Sequence, residues 1–424
     1  MMRFCVHPST LHGEVVIPGS KSHTIRALVF GLLADGESVI RSPLDSSDTR
    51  ACLAMVKNLG AAVEEKEDFW RVRGVGGRVE APADVVDVGN SGTSLYIGLG
   101  VASLAEGYTV FTGDHQIRSR PAAPLLRSLA DLGAFAVSTR GNGMPPIIMK
   151  GRLRGGKTSL EAHTSQYLSS LLVAAPLAAG DAEITVPLLN EAPYVEMTLA
   201  WQKKLGIDFS ADGLRRFEIK GNQRYRRFDE SIPADFSSAT FFLVAAAVTG
   251  SELVLRGLDY TDTQGDKKVV GILQQMGAEI DVGERHITVR GGALRGGVFD
   301  LNDIPDALPA LSVAACFADG ETRLVNVPQA RLKETDRISV MRDELAKMGA
   351  DVAELPDGLV IRGSDLSGAS VDGHGDHRVV MALAVAGLAA KGVTEITTAE
   401  SVAVTFPGFE GLLRTAGADI TTLK

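Results

Sequence analysis

Several cations in this chain stand where a helix disfavours them. Ser20-Lys21-Ser22-His23-Thr24-Ile25-Arg26 and Gly375-Asp376-His377-Arg378 each open a long apolar run of helical character, with the lysine and arginines in or next to its first turn. The backbone N–H groups there have no partner within the helix, and the macrodipole adds partial positive charge, so a cation is opposed. A bound anion reverses that penalty, because the same N–H groups form a phosphate or carboxylate seat. Four more apolar runs open on related sets: Gly89-Asn90-Ser91-Gly92-Thr93-Ser94, Thr164-Ser165-Gln166, Asp235-Phe236-Ser237-Ser238 and Pro305-Asp306-Ala307. Their Ser, Thr, Asp and Asn are ordinary N-caps when taken one at a time. Capping leaves Lys21, Arg26 and Arg378 unexplained. Two further segments supply basic residues, Gly113 to Pro121 with Arg118 and Arg120, and Arg331 to Arg337 with Lys333. The glycine-rich stretch Asn90 to Ser94 has neither the dinucleotide spacing nor the closing Lys-Ser/Thr of a nucleotide P-loop.

A repeat positions these helix starts. Each apolar run ends near a glycine and passes into a β-branched strand, and the glycines, Gly36, Gly107, Gly180, Gly250, Gly320 and Gly392, are 71, 73, 70, 70 and 72 residues apart. The spacing predicts a left-handed stop at each helix end. A second mark recurs between them, at Gly60, Gly133, Gly206, Gly277, Gly349 and Gly417, each closing an amphipathic helix before a short strand. Six copies of buried helix, strand, second helix and one or two strands define an α/β protein. A period near 70 is too long for an open solenoid and fits a few compact domains. With three copies per domain, one domain covers 20–233 and the other joins 1–19 to 234–424. The strand pair Arg3 to Val6 and Glu14 to Ile17 has no helix of its own and is expected to complete copy six. The two crossings, near Pro18-Gly19 and Pro233-Ala234, are where a hinge would lie.

Composition narrows the function. The net charge of −9 argues against a general nucleic-acid or membrane-surface binder, so any anion site is concentrated in few residues. The apolar stretches are too short and too interrupted by glycine to span a bilayer, and the absence of a leader pattern points to the cytoplasm. Cys5, Cys52 and Cys316 are too scattered for a disulfide frame or a zinc site and are expected to fill core space.

The ordered set Pro18-Gly19-Ser20-Lys21-Ser22 with Arg26, Asp48-Thr49-Arg50, Asn90-Ser91-Gly92-Thr93, Arg120-Pro121, Ser165-Gln166, Pro193-Tyr194, Asp235 to Ser238, Gln264-Gly265-Asp266, Pro305-Asp306, Lys333 to Arg337, Asp376-His377-Arg378 and Thr405-Phe406-Pro407 resembles the enolpyruvyl transferase family over nearly the whole chain. Within that family it is most similar to the members acting on shikimate 3-phosphate. The resemblance implies two similar domains, each of three βαβαββ-type units in an inside-out α/β barrel, with an interdomain cleft. It implies transfer of the enolpyruvyl group of phosphoenolpyruvate to the 5-hydroxyl of shikimate 3-phosphate in a monomer that uses no cofactor and no metal. Its partners would be these two small molecules alone. By resemblance, Ser22 and Arg26 hold the shikimate carboxylate, Thr164, Ser165 and Lys333 its phosphate, and Gln166 lies along the ring. Lys21, Gly92, Arg120, Arg337 and Arg378 surround phosphoenolpyruvate. Asp306 takes the hydroxyl proton, with Lys21 as a possible partner, and Glu334 serves the methylene carbon. The herbicide glyphosate occupies the phosphoenolpyruvate site in this family, beside the residue matching Gly92.

Four positions depart from the family pattern: Ile25 replaces a frequently polar residue, Tyr96 a common arginine, Glu191 a phosphate-binding serine and Val404 a lysine. A glutamate at 191 would repel a substrate phosphate unless it turned away. Two other readings compete. One is the sister transferase acting on UDP-N-acetylglucosamine, whose usual loop cysteine is missing here; the other is a non-catalytic phosphometabolite-binding protein.

Overall fold

Residues 2–424, described by a computed structural model, contain twelve α-helices of two kinds. The first half of the chain holds α1 (Lys21–Leu33), α2 (Ser47–Asn58), α3 (Gly92–Ala102), α4 (Ala123–Asp131), α5 (Ser165–Ala174) and α6 (Ala192–Lys204). The second half holds α7 (Phe236–Thr249), α8 (Lys268–Met276), α9 (Leu308–Cys316), α10 (Arg337–Lys347), α11 (His377–Ala389) and α12 (Phe409–Thr415). Odd-numbered helices are buried nearly all round. A helix that is apolar on every side has to lie inside. Most even-numbered helices bury one face and leave the other in water, as in α4, where Leu125, Leu126 and Leu129 face inward. Glycine permits the tightest helix pairing: a β-carbon on Gly100 of α3 would stand 2.4 Å from the Ser170 carbonyl of α5.

The chain forms two compact units, one of Lys21–Ile232 and one joining the residues up to Ser20 to Pro233–Lys424. Each has its own hydrophobic core and three four-stranded sheets. Every sheet contains one parallel and two antiparallel pairs, and in four of the six sheets the parallel strands flank a buried helix as a crossover unit. Alternating burial along the strands turns one face of each sheet to the core, as in Glu252–Arg256.

Two edge strands pair within their own unit and away from the helix they precede in sequence. Asp229–Ser231 precedes α7 in sequence but pairs in parallel with Glu37–Arg41, while Glu14–Val16 precedes α1 but pairs in parallel with Glu252–Arg256. This corrects the expectation for the amino-terminal pair. Arg3–Val6 does complete the sixth sheet, between Thr394–Ile396 and Ile420–Leu423, but Glu14–Val16 belongs to the fourth. The cause is local: the place beside Glu252–Arg256 would otherwise fall to Asp229–Ser231, which the other unit uses.

The two glycine marks also prove unequal. All six of the second set have φ between +85° and +108° and end even-numbered helices. In the first set only Gly250 is a left-handed helix cap. Gly36, Gly320 and Gly392 have positive φ three or four residues beyond their helices, and Gly107 and Gly180 do not have it at all. Close packing explains those two, since a β-carbon on Gly107 would lie 2.4 Å from that of Ala81, and one on Gly180 2.9 Å from the Arg154 carbonyl. Cys52 and Cys316 fill core space as expected, whereas Cys5 is only half-buried, with its Sγ 3.8 Å from His7 Nε2.

Candidate active site

Polar side chains gather at the starts of the buried helices in each unit. In Lys21–Ile232, Lys21 opens α1 and its Nζ lies 3.2 Å from Asp48 Oδ2. Asp48 is buried in the first turn of α2, where the macrodipole favours a carboxylate, and Ser46 and Thr49 close a capping box around that turn. Lys21 is thus aimed by Asp48, a residue that stood in the recognised motif without a role. Arg26, one turn on, points into the unit. Its Nε donates to Thr198 Oγ1 at 2.9 Å, Nη1 to the Ser22 carbonyl at 3.1 Å, and Nη2 to the Tyr194 carbonyl at 2.9 Å and Ser169 Oγ at 3.5 Å. Burial lowers its pKa to about 10. The resemblance gives Arg26 to a substrate carboxylate; in the structure its guanidinium ties α1 to α5 and α6 and fixes the turn that carries Ser22.

Gly92, Arg120 and Gln166 are neighbours. Ser91 caps α3 at Ser94 N, and a β-carbon on Gly92 would stand 2.8 Å from Arg120 Nη1 and 3.7 Å from Gln166 Oε1. Arg120 is buried, and the next carbonyl, that of Pro121, accepts hydrogen bonds from the hydroxyls of Tyr96 (2.8 Å) and Tyr167 (2.5 Å). Tyr96 therefore braces the Arg120-Pro121 turn. At the start of α5, Thr164 is the N-cap. Its Oγ1 donates to Glu191 Oε2 at 2.9 Å, and Ser165 reaches the same oxygen through its N–H at 3.1 Å and its Oγ at 2.7 Å.

The other unit carries a web of ion pairs centred on buried Arg337. Its Nε and Nη2 bind Asp376 at 2.8 and 3.1 Å, its Nη1 binds Asp306 Oδ1 at 2.8 Å, and its Nη2 also binds Glu334. Arg378 Nη2 lies 3.0 Å from Asp306 Oδ2, and Lys333 Nζ is 3.8 Å from Asp306 Oδ1. Three carboxylates, Asp306, Glu334 and Asp376, thus balance three cations, Lys333, Arg337 and Arg378. Burial alone would lower the Arg337 pKa, but the carboxylates, Asp376 foremost, hold it above its ordinary value. Burial would likewise raise that of Asp376, and Arg337 keeps it below the usual carboxylate range. Asp376 also caps α11 at Arg378 N and accepts from Thr335 Oγ1 at 3.0 Å. Next to it, burial pushes His377 down to about pKa 3, so the ring is neutral near pH 7, and neither ring nitrogen has a hydrogen-bond partner. Asp376 and His377 were read only as a helix start and a family motif, because their roles depend on Arg337, whose side chain arrives from a different helix.

Among the described residues no group of His, Cys, Asp and Glu is placed to hold a metal ion, and no helix is long and apolar enough to cross a membrane. A hollow of about 410 Å³ lies against the sheet containing Gly156–Ala162 and Ala182–Leu189, and its lining includes none of the residues described above.

Six α/β copies in two units, with hydroxyls and cations at the helix starts and three carboxylates held on one buried guanidinium, suit a class of proteins that handles anionic small molecules. Comparison with known proteins narrows the class. A family model described as EPSP synthase (3-phosphoshikimate 1-carboxyvinyltransferase) matches residues 6–413. The chain is 55% identical over 419 residues to the 3-phosphoshikimate 1-carboxyvinyltransferase of Acetivibrio thermocellus, with 99% of each covered. It is 41% identical to that of Methanococcoides burtonii over 425 residues, again with 99% of each covered. A solved EPSP synthase from Acinetobacter baumannii superposes with a TM-score of 0.84 at 30% identity over the full length of both chains. The chain belongs to the EPSP synthase family.

Proposed function

We propose that the protein transfers the enolpyruvyl group of phosphoenolpyruvate to the 5-hydroxyl of shikimate 3-phosphate and releases inorganic phosphate, a step of the shikimate pathway towards aromatic amino acids. The observation that carries this reading is membership of the family over nearly the whole chain, and it is supported by the binding of Asp306 and Glu334, the two carboxylates we assign to proton transfer, to Arg337. The acceptor oxygen bonds to the carbon bearing the donor's phosphate while the methylene carbon gains a proton. The tetrahedral adduct then loses that phosphate and a methyl proton, restoring the double bond. Asp306 receives the hydroxyl proton and Glu334 serves the methylene carbon. Lys21, Gly92, Arg120, Arg337 and Arg378 are assigned to the donor, whose charges suit forked guanidinium groups. Ser22, Arg26, Thr164, Ser165, Gln166 and Lys333 are assigned to the acceptor, Arg26 acting through the Ser22 turn.

The sister reaction on UDP-N-acetylglucosamine is disfavoured by the thiols. Burial pushes Cys52 and Cys316 up to about pKa 12, and Cys5 lies in a strand. Both substrates are phosphorylated and do not cross membranes unaided, which supports a cytoplasmic enzyme, and we assign it as a monomer. Phosphate release from phosphoenolpyruvate, measured with shikimate 3-phosphate and with UDP-N-acetylglucosamine in separate reactions, tests the assignment. Release should require the first acceptor. Release with the second alone would overturn the reading, and release with neither would favour a binding protein.

A further inference from the structure

We propose that the Glu191 carboxylate is an intramolecular stand-in for the acceptor's phosphate and sets this enzyme's affinity for that acceptor by competing for Thr164 and Ser165. The inference rests on the assignment of these two residues to the substrate phosphate. Thr164 has one hydroxyl hydrogen to give, and Ser165 has one hydroxyl and one N–H, and all three are directed at Glu191 Oε2. They sit at the first turn of the ten-residue helix α5, where an anion is favoured electrostatically as well as by hydrogen bonding. A phosphate oxygen can take these donors only when the carboxylate gives them up, and an anion left beside it would repel it.

The placement of Glu191 is specific. It is the N-cap of α6 in the left-handed region, φ 59° and ψ 43°, a conformation that a residue with a side chain holds only where its surroundings fix it. The side chain is buried, makes no cap bond to its own helix, and takes three hydrogen bonds at Oε2 from the start of α5. A serine at this position would add a neutral donor to the seat; the glutamate supplies a charge of the substrate's own sign.

Calorimetric titration of the full-length protein with shikimate 3-phosphate, and separately with shikimate, tests the inference. Shikimate carries the same ring and carboxylate but has no phosphate to compete. Because like-charge juxtaposition is costly in a buried site, Glu191→Ser should tighten shikimate 3-phosphate binding by about tenfold or more and leave shikimate binding nearly unchanged. Glu191→Gln keeps the shape without the charge and should shift affinity in the same direction; it is the deciding variant if Glu191→Ser melts at too low a temperature to titrate. Unchanged or weaker shikimate 3-phosphate binding in the folded variants would overturn the proposal, and so would equal tightening of both ligands. Thr164→Val in the Glu191→Ser background separates this from failure of the underlying assignment. If Thr164→Val weakens shikimate 3-phosphate binding while removing the carboxylate does not tighten it, the phosphate seat stands and the stand-in falls. If Thr164→Val has no effect, the seat itself is misassigned.

Discussion

The two polar clusters prepare for anions in opposite ways. In Lys21–Ile232 the start of α5 offers neutral donors, two hydroxyls and a backbone N–H, and a side chain of the same unit satisfies them. In the other unit the cations Lys333, Arg337 and Arg378 are held by Asp306, Glu334 and Asp376. The contrast teaches where each cluster stores its free energy. A neutral donor loses about 1–3 kcal/mol when its partner leaves and nothing replaces it, and less where another acceptor takes its place. Buried charges lose much, because removing one partner strands another in a medium that solvates it poorly. Substitutions at the α5 seat should therefore act mainly on affinity, and substitutions in the Arg337 web on turnover and stability together.

The sharpest way to break this comparison lies at the pair proposed for proton transfer. Asp306→Asn and Glu334→Gln should each lower kcat by about 10²–10⁴-fold, the usual range for a lost general acid or base, with much smaller changes in substrate affinity. Steady-state kinetics on variants shown by thermal melting to be folded would check this, and near-normal kcat in either would remove that residue from the mechanism. Next in size is Asp376→Ala, which takes the most deeply buried carboxylate from Arg337. A loss of about 3–5 kcal/mol in denaturant unfolding is expected. A loss no greater than that of Thr164→Val would erase the difference between the clusters.

Stability should also depend on pH through His377. Its folded pKa, about 3, lies below the unfolded value of about 6.5, so the unfolded chain binds more protons between the two and stability falls as pH drops through that window. The slope approaches about 1.4 kcal/mol per pH unit for one proton. Denaturation of His377→Gln at pH 7, 6 and 5 should show a correspondingly flatter profile. Asp376, whose folded pKa is also depressed, adds its own loss only at lower pH, below the unfolded carboxylate value of about 4, and so does not obscure the comparison.

The smallest expected effect is at Gly92. A methyl there meets Arg120 Nη1 at 2.8 Å, so the guanidinium must swing aside. Gly92→Ala should raise KM for phosphoenolpyruvate modestly. It should weaken inhibition by the longer glyphosate more, by about tenfold relative to the donor, a difference of about 1.4 kcal/mol. Inhibition titrations at several phosphoenolpyruvate concentrations measure that ratio, and an unchanged ratio would take Gly92 out of the donor site.

Much of the architecture was legible because it is written in local chemistry. Helices apolar on all sides, amphipathic partners and six glycines with positive φ recur at one period, and each reports a conformational or solvation preference of its own segment. Features that depend on meetings between distant segments were not legible. Periodicity names a strand but not its neighbour, so Glu14–Val16 was placed in the wrong sheet. Arg26 read as a cation opposing a helix start, yet its guanidinium turns inward because Thr198, Ser169 and the Tyr194 carbonyl lie within reach. Tyr96 read only as a lost arginine, although its hydroxyl braces the carbonyl beside Arg120.

The sequence by itself determined the six copies, their buried helices and the residue types at the helix starts, since hydrophobic period and capping preference are properties of short segments. It also marked Glu191 as a charge of unexpected sign. Tertiary structure alone decided what that charge does. Thr164 and Glu191 are 27 residues apart in sequence, as are Lys21 and Asp48, while Arg337 meets carboxylates 31 and 39 residues away. Pairings over such separations are set by which helices pack together, and no local preference encodes them.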